Sequence, residues 1–165
     1  MAATSSRSNI DLKKLLSQFA QDFPTLTFVE SQKSYWDPNT NTIYYRHNDS
    51  DKMTAWSIVH ELGHQSLGHL KYRTDLELVE MEVAAWQAAK NIARTYKLDI
   101  DDSYIEDCLD TYRDWLHERS TCPTCTLNGV EKIPGTYRCI NCRGIWHVSR
   151  SRFCRIYRKQ VATQS

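Results

Sequence analysis

The sequence predicts an α+β fold in two parts: a helical domain with a short sheet, then a small cysteine-rich module. One helix, a group of short strands and three further helices follow one another between residues 8 and 118. Two Cys-x-x-Cys pairs come next, and the charge of the chain changes sign close to them. We therefore expect domains over residues 8–118 and 119–160.

Length and composition are those of a globular chain. The 165 residues are 41% hydrophobic and 25% charged, which argues against wholesale disorder. The apolar runs are too short to span a bilayer, so we expect no membrane partner. Met1–Asn9 is rich in Ser, Thr and Ala and lacks the apolar core of a secretory signal. These features predict a cytoplasmic protein whose thiols stay reduced.

The net charge of +1 hides an asymmetry along the chain. Met1–Glu131 contain 13 Lys and Arg against 20 Asp and Glu, whereas Lys132–Ser165 contain eight Lys and Arg and no acid. This asymmetry favours two functional parts, and a solvated basic tail is the alternative.

The first elements follow from caps and residue types. A helix is expected over Ile10–Asp22, with Asn9 as its N-cap and apolar positions at helical spacing. Thr25–Glu30 are β-branched and aromatic and predict a strand. Two short runs, residues 34–36 and 42–46, flank a turn-rich segment and predict a hairpin.

Three further helices are expected after the hairpin. The first runs from Lys52 to Leu67, and Ser50 or Asp51 can cap it. The next two are predicted over Asp75–Tyr96 and Ser103–Glu118 from their apolar periodicity. The first of these three helices is apolar on both sides, which is typical of a rigid central element.

That central helix contains the motif His60-Glu61-Leu-Gly-His64. Histidines four residues apart project from one helical face and can bind one zinc ion. Glu61 follows the first histidine and can act as general base on a zinc-activated water. Two hydrogen-bonded core histidines are the alternative.

A catalytic zinc needs a third protein ligand. His69 is near in sequence but follows the glycine that ends the helix. On the next helix, Glu82 shares a face with apolar residues such as Leu78 and Trp86, whereas Glu80 lies on the opposite face. A buried carboxylate is costly unless it is paired, so Glu82 is the favoured ligand. A hydrogen bond within the core is its alternative role.

These residues resemble the ImmA/IrrE zinc metallopeptidases. The segment His60-Glu-Leu-Gly-His64-Gln-Ser-Leu-Gly-His69, followed by Glu80-Met-Glu82-Val-Ala84-Ala-Trp86, is similar to the family's two signatures. Ala84 differs from the usual Asn or Asp. The resemblance covers residues 8–118 and implies a small zincin-like peptidase fold with a catalytic zinc. It also implies a protein substrate, in this family a partner transcriptional repressor.

The cysteine-rich module contains Cys122, Cys125, Cys139 and Cys142 as two Cys-x-x-Cys pairs thirteen residues apart. Each pair can direct two thiolates at one metal ion, as in a four-cysteine zinc ribbon. We therefore expect a second, structural zinc, and two disulfides are the alternative.

The basic segment predicts a contact with DNA or RNA, because guanidinium groups bind phosphates and aromatic rings stack on bases. Trp146, Phe153 and Tyr157 are interleaved with its arginines. Docking to an acidic protein surface is the alternative. The candidate contacts are Arg143, Arg150, Arg152, Arg155 and Arg158.

Taken together, the residues predict a zinc-dependent endopeptidase with Zn²⁺ at a catalytic and a structural site. Its predicted substrate is a cytosolic protein, in particular a DNA-binding transcriptional repressor. One alternative is a nucleic-acid-binding adaptor with an inactive peptidase fold. Another is a protease that acts on DNA-bound proteins, because a zinc module beside a His-Glu-x-x-His domain is similar to the SprT/Spartan proteases. Those use a third histidine, which we cannot place in this chain.

Overall fold

A computed structural model of the chain describes residues 10–149, 152 and 154–161. Three residues invoked by the sequence predictions lie outside these ranges. They are the predicted helix cap Asn9 and, in the basic segment, Arg150 and Phe153.

The first helix, α1, spans Leu12–Asp22 and begins two residues later than predicted. Asp11 is its N-cap, and its side chain accepts a hydrogen bond of 3.1 Å from the backbone N–H of Lys14. Aspartate and asparagine cap helices about equally well, so the residue types alone do not choose between Asp11 and Asn9. Leu12, Leu15 and Phe19 form the buried face.

The first sheet has three strands in the order β1-β3-β2. They are β1 (Thr27–Glu30), β2 (Tyr35–Asp37) and β3 (Thr42–Tyr45). β2 and β3 are antiparallel, which is the predicted hairpin, and β1 lies parallel to β3. The central strand β3 is the most buried of the three, and its Ile43 is fully enclosed.

Three long helices follow: α2 (Asp51–Ser66), α3 (Asp75–Thr95) and α4 (Asp102–Ser120). Each boundary lies within two residues of the prediction. Ser50 caps α2 by accepting a hydrogen bond from the backbone N–H of Met53 at 3.2 Å. The mixed helix and sheet architecture confirms the predicted α+β class.

The C-terminal part contains a second sheet, antiparallel in the order β4-β5-β6-β7. Its strands are β4 (Gly129–Ile133), β5 (Thr136–Cys139), β6 (Ile145–Val148) and β7 (Arg158–Gln160). A small buried cluster lies beneath it, formed by Cys122, Tyr137, Cys139, Trp146 and Val148.

The chain packs as two compact units. The first comprises Met1–Leu70 with Ala84–Ile100, and the second comprises Lys71–Val83 with Asp101–Ser165. Helix α3 is continuous, and the boundary falls inside it. The domain boundaries drawn at 8–118 and 119–160 stay predictions. Within the part of the chain that the structure describes, every helix is too short or too polar to cross a membrane.

Candidate metal centres

Helix α2 holds the two histidines of the motif in a rigid setting. Three of its own side chains, Ala55, Ile58 and Leu62, are fully buried. His60 and His64 lie one turn apart, and their Nε2 atoms are 3.1 Å from each other. Two tetrahedral zinc ligands at ordinary Zn–N distances would lie about 3.3 Å apart. The pair therefore already has the spacing that a shared metal ion requires.

Glu82 on α3 supplies a third donor to the same place. The ligand atoms of His60, His64 and Glu82 all lie within 4.8 Å of one another. Glu82 is only 6% exposed and Glu61, beside His60 in the chain, only 8% exposed. A carboxylate this buried needs a cation or hydrogen bonds to offset the loss of hydration, and a divalent ion meets that need. The donor set of two imidazoles and one carboxylate fits zinc.

The position of α3 beside α2 depends on Gly63, inside the motif. A Cβ atom built on Gly63 would lie 2.4 Å from the carbonyl oxygen of Ala85 and 3.3 Å from the backbone nitrogen of Ala89. The helix backbones thus approach more closely than any side chain allows. One turn before Ala89, the Trp86 ring stacks on the His60 imidazole with ring centroids 4.2 Å apart. These contacts place the turn of α3 that carries Glu82.

His69 contacts the His64 ring on its Nδ1 side. The Nδ1 atoms of the two rings are 2.9 Å apart, so one donates a hydrogen bond to the other. With Nε2 of His64 directed to the metal, its Nδ1–H can donate to Nδ1 of His69. Such a bond fixes the tautomer and orientation of a ligating imidazole. The sequence showed His69 only as a nearby candidate ligand.

The four predicted cysteines form a second group of donors, with all four sulfur atoms within 4.8 Å of one another. Sγ of Cys122 lies 3.6 Å from that of Cys142, and Sγ of Cys125 lies 3.4 Å from that of Cys139. Tetrahedral Zn–S bonds would place sulfurs about 3.8 Å apart, whereas a disulfide would bring them to about 2.05 Å. The cysteines are thiols in this structure, and their arrangement fits a metal.

The surroundings favour the thiolate form of Cys122 and Cys125, whereas hydrogen bonding with the neighbouring cysteines, Cys122 first, raises the pKa of Cys142 to about 12. A hydrogen bond from the backbone N–H of Leu127 is the main reason that the pKa of Cys125 is lowered to about 6. Backbone N–H groups of Asn141 and Cys142 each donate to Sγ of Cys139 at 3.4 Å. Thiolate is the form that binds zinc, so these bonds prepare the ligands.

A buried ionic network holds the second unit together. Asp75 accepts hydrogen bonds from Nε and Nη2 of Arg119, at 2.6 and 3.0 Å, and from the Tyr137 hydroxyl at 2.5 Å. Glu131 accepts from the backbone N–H groups of Asp75 and Gly135, both at 2.6 Å. Burial and the bond to Asp75 raise the pKa of Tyr137 well above its usual value. These residues are far apart in sequence, so no local pattern indicated the network.

The arginines that were predicted to contact nucleic acid differ in their surroundings. Arg152 lies over the Tyr112 ring, 3.4 Å from its centroid, and donates to Thr111 Oγ1 at 2.6 Å. Arg158 donates to the carbonyl of Thr121 at 3.0 Å. Arg143 and Arg155 are exposed.

The expectation that Trp146 stacks on bases is wrong. Its side chain is completely buried, and its indole N–H donates to the carbonyl of Arg119 at 2.9 Å. The ring instead stacks on Tyr137 in the cluster beneath the second sheet, with centroids 5.6 Å apart.

An α+β fold whose central helix carries His-Glu-x-x-His beside a buried glutamate is typical of peptidases. The chain belongs to the Peptidase_M78 family, described as the IrrE N-terminal-like domain, whose family model matches residues 22–126. The predicted relation to the ImmA/IrrE peptidases is thereby confirmed. No match was found among curated proteins or among solved structures.

Proposed function

We propose that this protein is a zinc-dependent endopeptidase. The observation that carries the proposal is the convergence of His60, His64 and Glu82 on one point, in a member of a peptidase family. Three protein ligands leave one tetrahedral position for water, which is the ligand count of a catalytic zinc site. A zinc ion bound there would supply Lewis acidity toward the scissile carbonyl.

The residues of the chain have distinct roles in this mechanism. Nε2 of His60 and of His64 and the carboxylate of Glu82 would hold the ion. Glu61 removes a proton from the attacking water and delivers it to the leaving amine, so one carboxylate is first base and then acid. Its burial supports this role, because a carboxylate shielded from bulk water exchanges its proton with the substrate rather than with solvent.

The four cysteines would hold a second zinc ion, which would have a structural role as the centre of a zinc ribbon. Cys122 and Cys139 belong to the buried cluster beneath the second sheet. That cluster is small, so metal binding would provide much of the folding free energy of this part of the chain.

The proposed substrate is a cytoplasmic DNA-binding repressor protein. The relation to the ImmA/IrrE peptidases supports this choice of substrate. A related proposal is a protease that acts on DNA-bound proteins, as the SprT/Spartan proteases do. It is favoured by the eight basic residues and the lack of acids after Glu131. The same feature favours the rival function, a nucleic-acid-binding adaptor without cleavage activity.

The test compares Glu61→Gln with Glu80→Gln, an identical chemical change at an exposed glutamate on α3. Zinc is counted by elemental mass spectrometry, and cleavage is measured on a library of labelled peptides and unfolded proteins. Both variants should keep two zinc ions. Glu61→Gln should lose at least 10²-fold in kcat, because general base catalysis contributes about 10²–10⁴-fold. Glu80→Gln should cleave normally.

Undiminished cleavage by Glu61→Gln would refute the assigned mechanism. A zinc-loaded wild-type protein that cleaves no member of the library would favour the adaptor.

A further inference from the structure

One face of the hairpin formed by β4 and β5 bears an open cleft of about 270 Å³, which we call the basic cleft. Val130 lies directly opposite Arg138 in the pairing of β4 with β5, so these two side chains share a face, and the register shifts next to Lys132, between Glu131 and Ile133. Tyr137 and Cys139 flank Arg138 in β5 and are buried, and Cys139 also borders the cleft. The cleft is lined by Val130, Lys132, Arg138, Cys139, Ile140 and Arg143.

Among the described residues, the three cations of the basic cleft have no neutralising partner. In the described part of the chain, Lys132, Arg138 and Arg143 form neither a salt bridge nor a side-chain hydrogen bond. The nearest acid in sequence, Glu131, binds the backbone N–H groups of Asp75 and Gly135. No acid follows it in the chain. Three like charges gathered around one concavity attract an anion.

Three other arginines of the second unit are already engaged. Arg119 is buried against Asp75, Arg152 lies on Tyr112, and Arg158 binds a backbone carbonyl. The basic cleft is therefore a better candidate for an intermolecular anion than Arg152 or Arg158.

We propose that the basic cleft binds the phosphate backbone of a nucleic acid. Guanidinium groups match phosphate oxygens in a bidentate geometry, and Arg138 and Arg143 supply two of them. Val130 and Ile140 are 48% and 73% exposed at the cleft and offer apolar contact to sugars. The acid-free sequence from Lys132 onward suits a long polyanion better than an isolated small anion. This site goes beyond the proposed peptidase activity.

The experiment measures binding of the full-length, zinc-loaded protein to a labelled 20-nucleotide single strand and to a 20-base-pair duplex. Fluorescence anisotropy is recorded between 50 and 300 mM KCl. The test variant is K132Q/R138Q/R143Q. The control, K13Q/R46Q/K71Q, removes the same charge at three exposed positions of the chain outside the hairpin.

The test variant should weaken binding at least tenfold at 100 mM KCl. Its slope of log Kd against log salt should fall by about two for the single strand and about three for the duplex, because each lost phosphate contact contributes about 0.7 or 0.9. Comparing the two probes shows which form of nucleic acid the cleft prefers. The control should change the slope by less than one.

Three results would overturn the proposal. The first is an equal loss of nucleic-acid affinity in the two triple variants. The second is no binding of either nucleic acid by the wild type at 50 mM KCl. The third is binding of polyglutamate in place of nucleic acid, which would assign the cleft to an acidic protein. If the triple variant fails to keep two zinc ions, R138Q alone replaces it, with an expected slope change of about 0.7–0.9. The assay involves no cleavage, so its failure leaves the peptidase proposal intact.

Discussion

Replacing Gly63 by alanine should damage the α2–α3 metal centre without altering any ligand. The added Cβ would lie 2.4 Å from the carbonyl oxygen of Ala85, whereas ordinary contacts begin at 3.4 Å. The contacting atom belongs to a helix backbone, so a side-chain rotation cannot relieve the clash. The helices must separate by about 1 Å at this point to restore an ordinary contact.

The separation matters because metal sites tolerate little displacement. Donor distances in a working site hold to about 0.2 Å, which is a fifth of the required shift. Overpacking destabilises the fold by about 1–3 kcal/mol, and the higher helix propensity of alanine stabilises it by about 1 kcal/mol. The free energy of unfolding should therefore fall by only about 0–2 kcal/mol. Cleavage should fall about 10²-fold, the usual effect of a 1 Å misplacement of reacting groups.

The assay is zinc affinity by competition with a chromophoric chelator, together with thermal unfolding and peptide cleavage. Gln65→Ala on the same helix is the control, because it adds an alanine of similar propensity away from the close contact. Gly63→Ala should lose zinc from one site and keep it at the four cysteines. Wild-type zinc affinity and activity in Gly63→Ala would refute the claim that the close helix approach builds the centre.

Two further predictions concern residues that bind no metal. His69→Ala should lower zinc affinity about tenfold, because it removes the hydrogen-bond partner of His64 Nδ1. Competition with a chelator measures this affinity. An unchanged affinity would exclude the proposal that His69 orients the His64 ring. The pKa of Tyr137 is higher in the folded protein than its value near 10 in the unfolded chain. This difference stabilises the folded state below pH 10, and the contribution is lost as the pH rises above 10. The free energy of unfolding should thus decline above pH 10 by up to about 1.4 kcal/mol per pH unit. Urea titrations at pH 8–11 should show that the free energy of unfolding falls less steeply with pH in Tyr137→Phe than in the wild type. Equal pH dependence in the two proteins would contradict the role given to Tyr137.

Local signals predicted the helices well. The bounds of α2, Asp51–Ser66, follow from Ser50 as cap and from an apolar pattern that persists for four turns. The hairpin of β2 and β3 followed from its turn residues. The parallel pairing of β1 with β3 was not predicted, because it joins segments whose register is set by packing and not by a turn.

The candidate metal centre stays a prediction, and it rests on the same kind of local signal. Helical periodicity places His60 and His64 on one face and distinguishes Glu82 from Glu80 on the next helix. What the sequence could not reveal depends on tertiary contacts. The close approach at Gly63 is visible only once the two helices are packed together.

The buried bonds between Asp75, Arg119 and Tyr137 were missed for a related reason. They join residues 44 and 62 positions apart, for which the sequence contains no periodic signal. Arg119 is among the most buried side chains of the described part of the chain. Two hydrogen bonds to Asp75 and one to the carbonyl of Ser149 pair this buried charge.

The two candidate centres would use the same ion differently, and ligand number is the reason. Four thiolates fill a tetrahedral shell and leave no position for water, so a zinc ion held by the cysteines can only stabilise the fold. Two imidazoles and one carboxylate leave one position open, and Glu61 follows directly after the first of these ligands. Burial does not separate the two roles, because Cys122 and Cys139 are as enclosed as Glu82. The near-neutral net charge conceals a similar division, since the proposed base Glu61 and the proposed ligand Glu82 belong to the acidic part and most of the proposed anion-binding surface to the basic part.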